Sequence, residues 1–371
     1  MHKKRLVISP IWSFSTEEGQ LFEPVMFVLL RSIRETGRLT AAASASDISY
    51  RHAWNLLNKW SDFFGLPLVV RRKGQGTTLS PLGEKLVWSH ERVQARLGPQ
   101  IDSMASELNM QMQQLLEGTH QVLRMQASHG FAVALLPKFQ ARFELNLQYS
   151  SPEEALISLN RGESDVAGFH LPTDPLFAHR VLEHYRDLLP PDKIRVIRFI
   201  TRRQGLMIRS ESKTGITGLP DLMHSGHRFI NRERRSDTRA LFNMLLERES
   251  ISGQQINGFD SEEFTHSAVA AYVAAGMADA GFGVEAAARQ FDLDFVPLTT
   301  EYYLLLCHRD RLGNDNLKQF LQLIRSDDFV AEVNKLPGYF PDLCGEVFTL
   351  AELLESYSKT KSAKYLTDSE V

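Results

Sequence analysis

The sequence predicts a multidomain chain in three parts. A mostly α-helical head over residues 1–83 carries a β-hairpin, a linker helix covers 84–118, and a two-lobed α/β body covers 119–350, with a tail at 351–371. Three observations predict it. Residues 24–64 hold three short runs with apolar residues at helical spacing, and a strand-turn-strand pattern follows them. Leu86, Val93, Leu97, Ile101, Met104, Leu108, Met112 and Leu115 recur at steps of seven, four or three, a seam that lets a helix pair with a copy of itself or pack on its own domain. From Gln121 onward short apolar strands alternate with helical stretches, which is the pattern of a parallel sheet.

In the head, PVMFVLLRSIRETG places Val25, Val28, Leu29 and Ile33 on one helical face, with Gly37 as the expected C-cap. Leu39-Thr40 opens a second helix of small residues, Ala41, Ala42, Ala43 and Ala45, against which another helix can pack closely. Asp47 or Ser49 caps a third helix that buries Ala53, Leu56, Leu57 and Trp60. Its other face presents Ser49, Tyr50, Arg51, Asn55, Asn58 and Lys59. This is the helix-turn-helix arrangement, in which the second helix of the pair enters the major groove and Arg can reach guanine and Asn adenine. LPLVVRRKGQGTTLS then reads as a β-wing laying Arg71, Arg72 and Lys73 against phosphates, and Thr40 completes the set of candidate DNA contacts. The alternative is a small helical bundle with a solvated basic hairpin.

Composition narrows the classes. The formal net charge is -3, with 43% hydrophobic and 23% charged residues in 371, which is ordinary for two or three packed domains. Between Arg31 and Lys85, however, nine Lys/Arg face four Asp/Glu, so this stretch carries +5 and the remainder -8. A basic module on an acidic body points to a polyanion partner, double-stranded DNA, for one part only. No apolar run is long enough to span a bilayer, and MHKKRLVISPIWSFSTEEGQ lacks the apolar core of a secretory signal, so a cytoplasmic location is expected. Cys307 and Cys344 are too few for a disulfide scaffold and sit in no metal-ligand spacing; no metal and no cofactor are expected. The Gly98-Pro99 pair is expected to kink or break the linker helix.

In the body, VLRMQA, LNLQYS and SDVAGFHL read as strands. A helix is expected to open at Ser128, and another at Ser151, with Pro152 at its first position and Glu154 completing a capping box. Ligands of open α/β sheets bind beyond the strands' C-terminal ends. Those ends hold Ser128 and His129, Ser150 and Ser151, and Gly168, Phe169 and His170. A second α/β unit is expected from near Arg202. It contains the strand HRFINR, a helix opening at Ser236-Asp237-Thr238, the helix EEFTHSAVAAYVAAG, and MADAGFG entering a further helix. DFVPLTTEYYLLLCHRD would then return to the first unit. That gives lobe 1 at about 119–200 and 298–350, lobe 2 at about 201–297, and a hinged clamshell with ligand between them. The candidate ligand residues are Ser128, His129, Ser151, His170, Arg232, Arg235, Ser236, Thr238, Arg239 and Thr265, with Glu263, His266 and Tyr302 as weaker candidates and Gly281-Phe282-Gly283 as a turn a ligand could approach.

ETGRLTAAASASDISYRHAWNLLNKWSDFFGLPLVVRRKGQGTTLSPLGEKL resembles the DNA-binding domain of the molybdate-responsive ModE regulators and is similar to the wider LysR-type winged helix. Those families typically show TGSLTAAA and LTPxG; this chain has TGRLTAAA at 36–43 and LSPLGEKL at 79–86. FINRERRSDTRALF, EEFTHSAVAAYVAAGMADAGFG and LPGYFPDLCGEV resemble the periplasmic-binding-protein-like domain found behind ModE-type heads, of the type 2 substrate-binding fold, over roughly 121–348. The resemblance implies a dimeric regulator, or a tetrameric one, reading a palindromic operator and sensing molybdate, tungstate or a compound of molybdenum-cofactor metabolism. Two departures bear on that ligand. The small molybdate domain usual behind ModE-type heads does not follow residue 120. Relatives also tend to carry Gly-Ser-Gly-Thr-Arg where this chain has Arg235-Ser236-Asp237-Thr238-Arg239. There Asp237 would repel an anion if turned inward, while the arginines at 232, 234, 235 and 239 would attract one.

The expectation is therefore a non-enzymatic DNA-binding regulator that senses a small anion. One alternative is a regulator or architectural protein whose body binds nothing. Another is an enzyme using His129, His170 and Glu263, for which no nucleophile elbow, phosphate loop, metal trio or dinucleotide fingerprint is present.

Overall fold

The computed structural model describes residues 6–14, 20–72, 76–117, 122–142, 144–209, 215–224 and 226–355. The chain divides into two compact units, Val7–Gly98 and Pro99–Val371 together with Met1–Leu6.

The first unit opens with a small antiparallel pair, β1 (Trp12–Phe14) and β2 (Gln20–Phe22). Three helices follow: α1 (Pro24–Thr36), α2 (Leu39–Ala45) and α3 (Tyr50–Phe64). Pro24 sits where a helix needs no N–H, and Gly37 closes α1 in the left-handed conformation. The face α1 buries is Met26, Phe27, Leu29, Leu30 and Ile33, while Val25 and Val28 lie at its margin. Leu29 and Ile33 are buried as expected, whereas Val25 and Val28 give way to Met26, Phe27 and Leu30, which join Phe22 and Trp60 in one core. Ala42 and Ala43 of α2 are buried as expected, but Ala45 is exposed. Helix α3 buries Ala53, Leu56, Leu57 and Trp60. Trp60 is fully covered and packs 4.6 Å from Phe22 between ring centroids, while its Nε1–H donates to Glu23 at 2.6 Å. Removing such a side chain costs about 3–5 kcal/mol.

Strands β3 (Val69–Arg72) and β4 (Gly76–Leu79) pair antiparallel as the hairpin, and the Thr77 amide donates to the Gly37 carbonyl at 2.9 Å. The next residues, Ser80-Pro81-Leu82-Gly83, form a joint. The Ser80 amide donates to Leu68 O and its hydroxyl donates to Pro67 O, while the Gly83 amide donates to that hydroxyl. A Cβ on Gly83 would lie 2.3 Å from Leu68 O, so only glycine permits this approach.

Helix α4 runs from Pro81 to Glu117 without a break. Pro99 lies inside it, and the Ser103 hydroxyl donates to the Pro99 carbonyl at 2.9 Å. No break falls at Gly98-Pro99, since proline removes only one ladder donor. Leu97, Met104, Leu108, Met112 and Leu115 of this helix are exposed.

The second unit is built on one mixed sheet in the order β10-β9-β11-β8-β12-β7-β5-β6. β5 (Leu123–Ala127), β6 (Leu145–Tyr149) and β7 (Val166–Pro172) are parallel, with α5 (Pro152–Asn160) crossing between β6 and β7. The segment after β5 is not the helix expected at Ser128 but a 3₁₀ stretch, Val133–Arg142, containing Pro137. A proline there removes a donor and disfavours the α conformation before it. Helix α6 (Pro175–His184) follows β7 and leads to β8 (Ile194–Arg209). A second parallel patch comprises β9 (Phe229–Arg232), β10 (Glu262–Glu263) and β11 (Ala280–Val284), with α7 (Asp237–Arg248) and α8 (His266–Ala274) between them and α9 (Glu285–Gln290) after. β8 and β12 (Leu293–His308), sixteen residues each and antiparallel, join the two patches. Helices α10 (Asp315–Arg325) and α11 (Asp327–Asn334) and short strands β13 (Tyr339–Pro341) and β14 (Val347–Thr349) on β8 complete it.

Arg202, near which the second α/β unit was expected to begin, lies in the middle of β8, whose residues Gln204–Ile208 pair with β11 of the second patch. α6 packs on both patches, with Ala178 in the core of the first. Phe177 packs in the core of the second with Leu206, Phe229 and Leu241, and Arg180 pairs with Glu247 of α7 at 2.7 Å.

Candidate functional site

In the first unit, capping and packing decide which face of α3 is free. Ser49 caps the helix by accepting from the His52 amide, so Tyr50 begins its first turn. With Ala53, Leu56, Leu57 and Trp60 turned inward, Ser49, Tyr50, Arg51, Asn55, Asn58 and Lys59 are all exposed, as is Thr40 on α2. Three of the candidates carry internal partners. Lys59 pairs with Glu23. The Arg71 guanidinium donates to the Tyr50 hydroxyl and lies 4.2 Å from the Trp54 ring centre, which ties the hairpin to α3. Arg72 ends β3, and Lys73 lies outside the described residues.

In the second unit, polar side chains from both patches converge where β5, β7, β8, β9 and β12 and the starts of α7 and α8 meet. Glu301 of β12 is opposite Arg202 of β8 in register, and both are almost wholly buried. Glu301 Oε1 accepts from Arg202 Nε at 2.6 Å and from Gln204 Nε2 at 2.6 Å. Arg202 Nη2 lies 3.1 Å from His170 Nδ1. Burial works against the Arg202 charge, and Glu301 more than restores it. Gly168 is what lets Tyr303 in: a Cβ there would stand 2.7 Å from the Tyr303 hydroxyl, which donates to Ser128 O at 2.8 Å.

Arg232, at the end of β9, is half-buried. Its Nη2 donates to the Phe264 carbonyl at 2.8 Å, and among the described residues it has no ion-pair partner. Burial, assisted by Arg202, pushes its pKa down to about 10. Asp237 opens α7, and its Oδ1 accepts from the Tyr185 hydroxyl at 2.9 Å. Burial pushes its pKa up to about 7. Three histidines are held neutral: burial, then Arg232 and Arg202, push His129 down to about 4. Burial and the same two arginines put His170 and His266 well below the ordinary range. Neutral imidazoles offer one donor and one acceptor each. The arrangement is a desolvated polar cleft with two guanidiniums, the paired Glu301 carboxylate and the Asp237 carboxyl, suited to a small anion.

Not every predicted residue faces that cleft. His129, His170, Arg232 and Thr238 do, with Ser128 at its edge through its carbonyl. Ser151 spends its hydroxyl on the capping box with Glu154, Ser236 caps α7, and Thr265 caps α8. Arg239 is buried as a brace, donating to Arg232 O at 3.2 Å and lying 4.1 Å from the Phe259 ring centre. Arg235 is exposed. Phe169, Gly281 and Phe282 are core. Arg202, Gln204, Glu301 and Tyr303 were missed. Their signal is legible in retrospect, because ITRRQGLMI and LTTEYYLLL put charges inside otherwise apolar strands. Among the described residues no helix is long and apolar enough to cross a membrane, and no group of three His, Cys, Asp or Glu could hold a metal ion.

Two parallel patches joined by two long antiparallel strands around a polar cleft define a periplasmic-binding-protein-like domain. A model of the PBP superfamily domain matches residues 135–325, and the chain belongs to that superfamily. It is 29% identical over 202 residues to the uncharacterized protein YvgK of Bacillus subtilis (strain 168), a match covering 54% of this chain and 64% of that one. It is also similar to the molybdenum-pterin-binding protein MopB of Rhodobacter capsulatus (30% over 108 residues, 28% of this chain and 39% of MopB). A comparable match is the molybdenum transport protein ModE of Azotobacter vinelandii (28% over 101 residues, 26% of this chain and 37% of ModE). The chain thus spans less than two thirds of each of these three relatives. Among solved structures it is similar to the LysR-type regulator HypT of Salmonella typhimurium, with TM-score 0.43, 14% identity and coverage of 82% of this chain and 97% of that one. The corresponding values for OxyR of Corynebacterium glutamicum are 0.42, 14%, 85% and 96%.

Proposed function

We propose that this chain is a ligand-responsive, DNA-binding transcription regulator. The observation that carries the reading is α3: four of its residues make the buried face, and Tyr50, Arg51, Asn55 and Asn58 stand exposed together opposite them, beside a hairpin bearing Arg71. Arg51 and Asn55 read base edges in the major groove, and Arg71, preset against Trp54, meets phosphate. The exposed apolar residues of α4 pair with those of a second copy, placing two such helices about 34 Å apart on a palindromic site. The cleft of the PBP-like domain takes a small anionic effector on Arg232 and Arg202. Orphaned buried donors and acceptors there favour a binding site over a ligand-free remnant. Effector binding changes DNA affinity, and by linkage DNA changes effector affinity by the same factor.

The test is a DNA titration on a site selected from random sequence by the intact protein. Arg51→Ala or Asn55→Ala should relax discrimination at one base position by about 1–3 kcal/mol. Arg71→Ala should weaken selected and unselected DNA alike and lower the salt slope by about one. Equal effects of all three on every sequence would sink the groove assignment.

A further inference from the structure

The cleft holds buried hydrogen-bonding groups that the protein does not satisfy, and their pattern describes what should fill it. Arg202 Nη1 and Arg232 Nε are donors and Gln204 Oε1 and Asp237 Oδ2 are acceptors, while His266 Nδ1 and the Tyr339 hydroxyl, which acts on the Arg202 guanidinium, are also without a partner. Gln204 and Arg202 are 0% and 1% exposed, so water from the surface does not serve them. The Gln204 amide is oriented by chemistry: its Nε2 donates to the Glu301 carboxylate, and its oxygen must therefore point away in search of a hydrogen. Unpaired polar groups at such depth are costly and rare in a finished core.

Charge points the same way. Arg202 is paired with Glu301, the three histidines are neutral, and Arg232 is the guanidinium without a carboxylate partner among the described residues. Glu233, Glu301 and Asp237 act on that charge from outside ion-pair distance, so the Arg232 guanidinium itself lacks a direct counter-charge among the described residues. Asp237 is faced by Tyr185 from the end of α6, Glu301 from β12, Arg202 from β8 and Arg232 from β9. When ionised it accepts hydrogen bonds and repels a second negative charge.

Resting on the effector reading above, we propose that the cleft selects a small monoanion that also donates a hydrogen bond, either a proton-bearing oxyanion or a hydroxycarboxylate, and rejects proton-free dianions such as molybdate and tungstate. The anionic oxygens answer Arg232 Nε and Arg202 Nη1, and the ligand's own hydrogen answers Asp237 Oδ2 or Gln204 Oε1. A proton-free dianion would set lone pairs against both acceptors and add a charge that nothing offsets.

Matched probes test this by isothermal titration of the full-length protein at pH 8: bicarbonate against nitrate, glycolate against acetate, and molybdate. The expected result is at least tenfold tighter binding of the proton-bearing member in one pair or both, with molybdate among the weak binders. In Asp237→Asn the amide becomes a donor, and the preference should shrink severalfold; the wild-type ratio stands whether or not that variant folds. Nitrate, acetate or molybdate binding as tightly as the proton-bearing probes overturns the proposal while leaving the effector reading intact. No binding by any probe overturns both.

Discussion

Asp237→Asn offers the most direct physical test of the cleft, because its consequence for folding can be calculated without knowing any ligand. Asparagine has the same shape, and its carbonyl can still accept from the Tyr185 hydroxyl that holds Oδ1 at 2.9 Å. What changes is titration. Burial raises the folded-state pKa of Asp237 from 3.8 to about 7, so the native chain holds a proton that the unfolded chain has released. Its contribution to stability is complete below about pH 4 and is lost as pH rises through about 7. About three units at 1.36 kcal/mol each amount to about 4 kcal/mol. The variant has no such loss, so the stability difference, variant minus wild type, should climb between about pH 4 and 7 and flatten above. The histidines act in the opposite sense. His129, depressed to about 4, and His170 and His266 below the ordinary range withdraw stability as pH falls below about 6.5, but they do so in both proteins and cancel in the difference. Urea unfolding of the full-length pair at half-unit steps from pH 5 to 8.5 measures it. A difference that stays flat across this range, or falls with pH, would refute the assignment of Asp237 as a buried, unmatched carboxyl.

Gly83→Ala brings a Cβ within 2.3 Å of the Leu68 carbonyl, a backbone atom that cannot step aside cheaply. The joint between hairpin and α4 should loosen, with a loss of about 1–3 kcal/mol read as a lower first transition in thermal unfolding of the full chain. Met104→Glu with Leu108→Glu places charges on two residues that are 58% and 39% exposed in the single chain. If a second copy covers them, the pair of changes should convert a dimer to monomer in sedimentation equilibrium while leaving the monomer's melting unchanged.

Much of the DNA-facing unit was legible in the residues, and for a local reason. Helix faces follow from 3.6-residue periodicity, and Ser49 and Gly37 are caps whose chemistry acts within one turn. So the inward set of α3 and its outward set could be written down before any tertiary contact was known. The same locality recovered the capping box at Ser151. It misled at Val25 and Val28, where three apolar stripes compete and the aromatic cluster around Trp60 chooses between them.

The cleft is a different matter. Periodicity placed His129, His170 and Arg232 at strand ends, but the partner of Arg202 is Glu301, ninety-nine positions away, and only the antiparallel register of β8 and β12 brings them together. Sequence alone determined which residues can cap, which helical faces are apolar and which stretch is basic, since those depend on neighbours a few residues apart. Tertiary structure decided that Ser151, Ser236 and Thr265 are spent on helix starts, that Arg239 is a brace, and that Asp237 looks inward. Burial and long-range pairing set the charge of a side chain, and neither is written in its immediate surroundings.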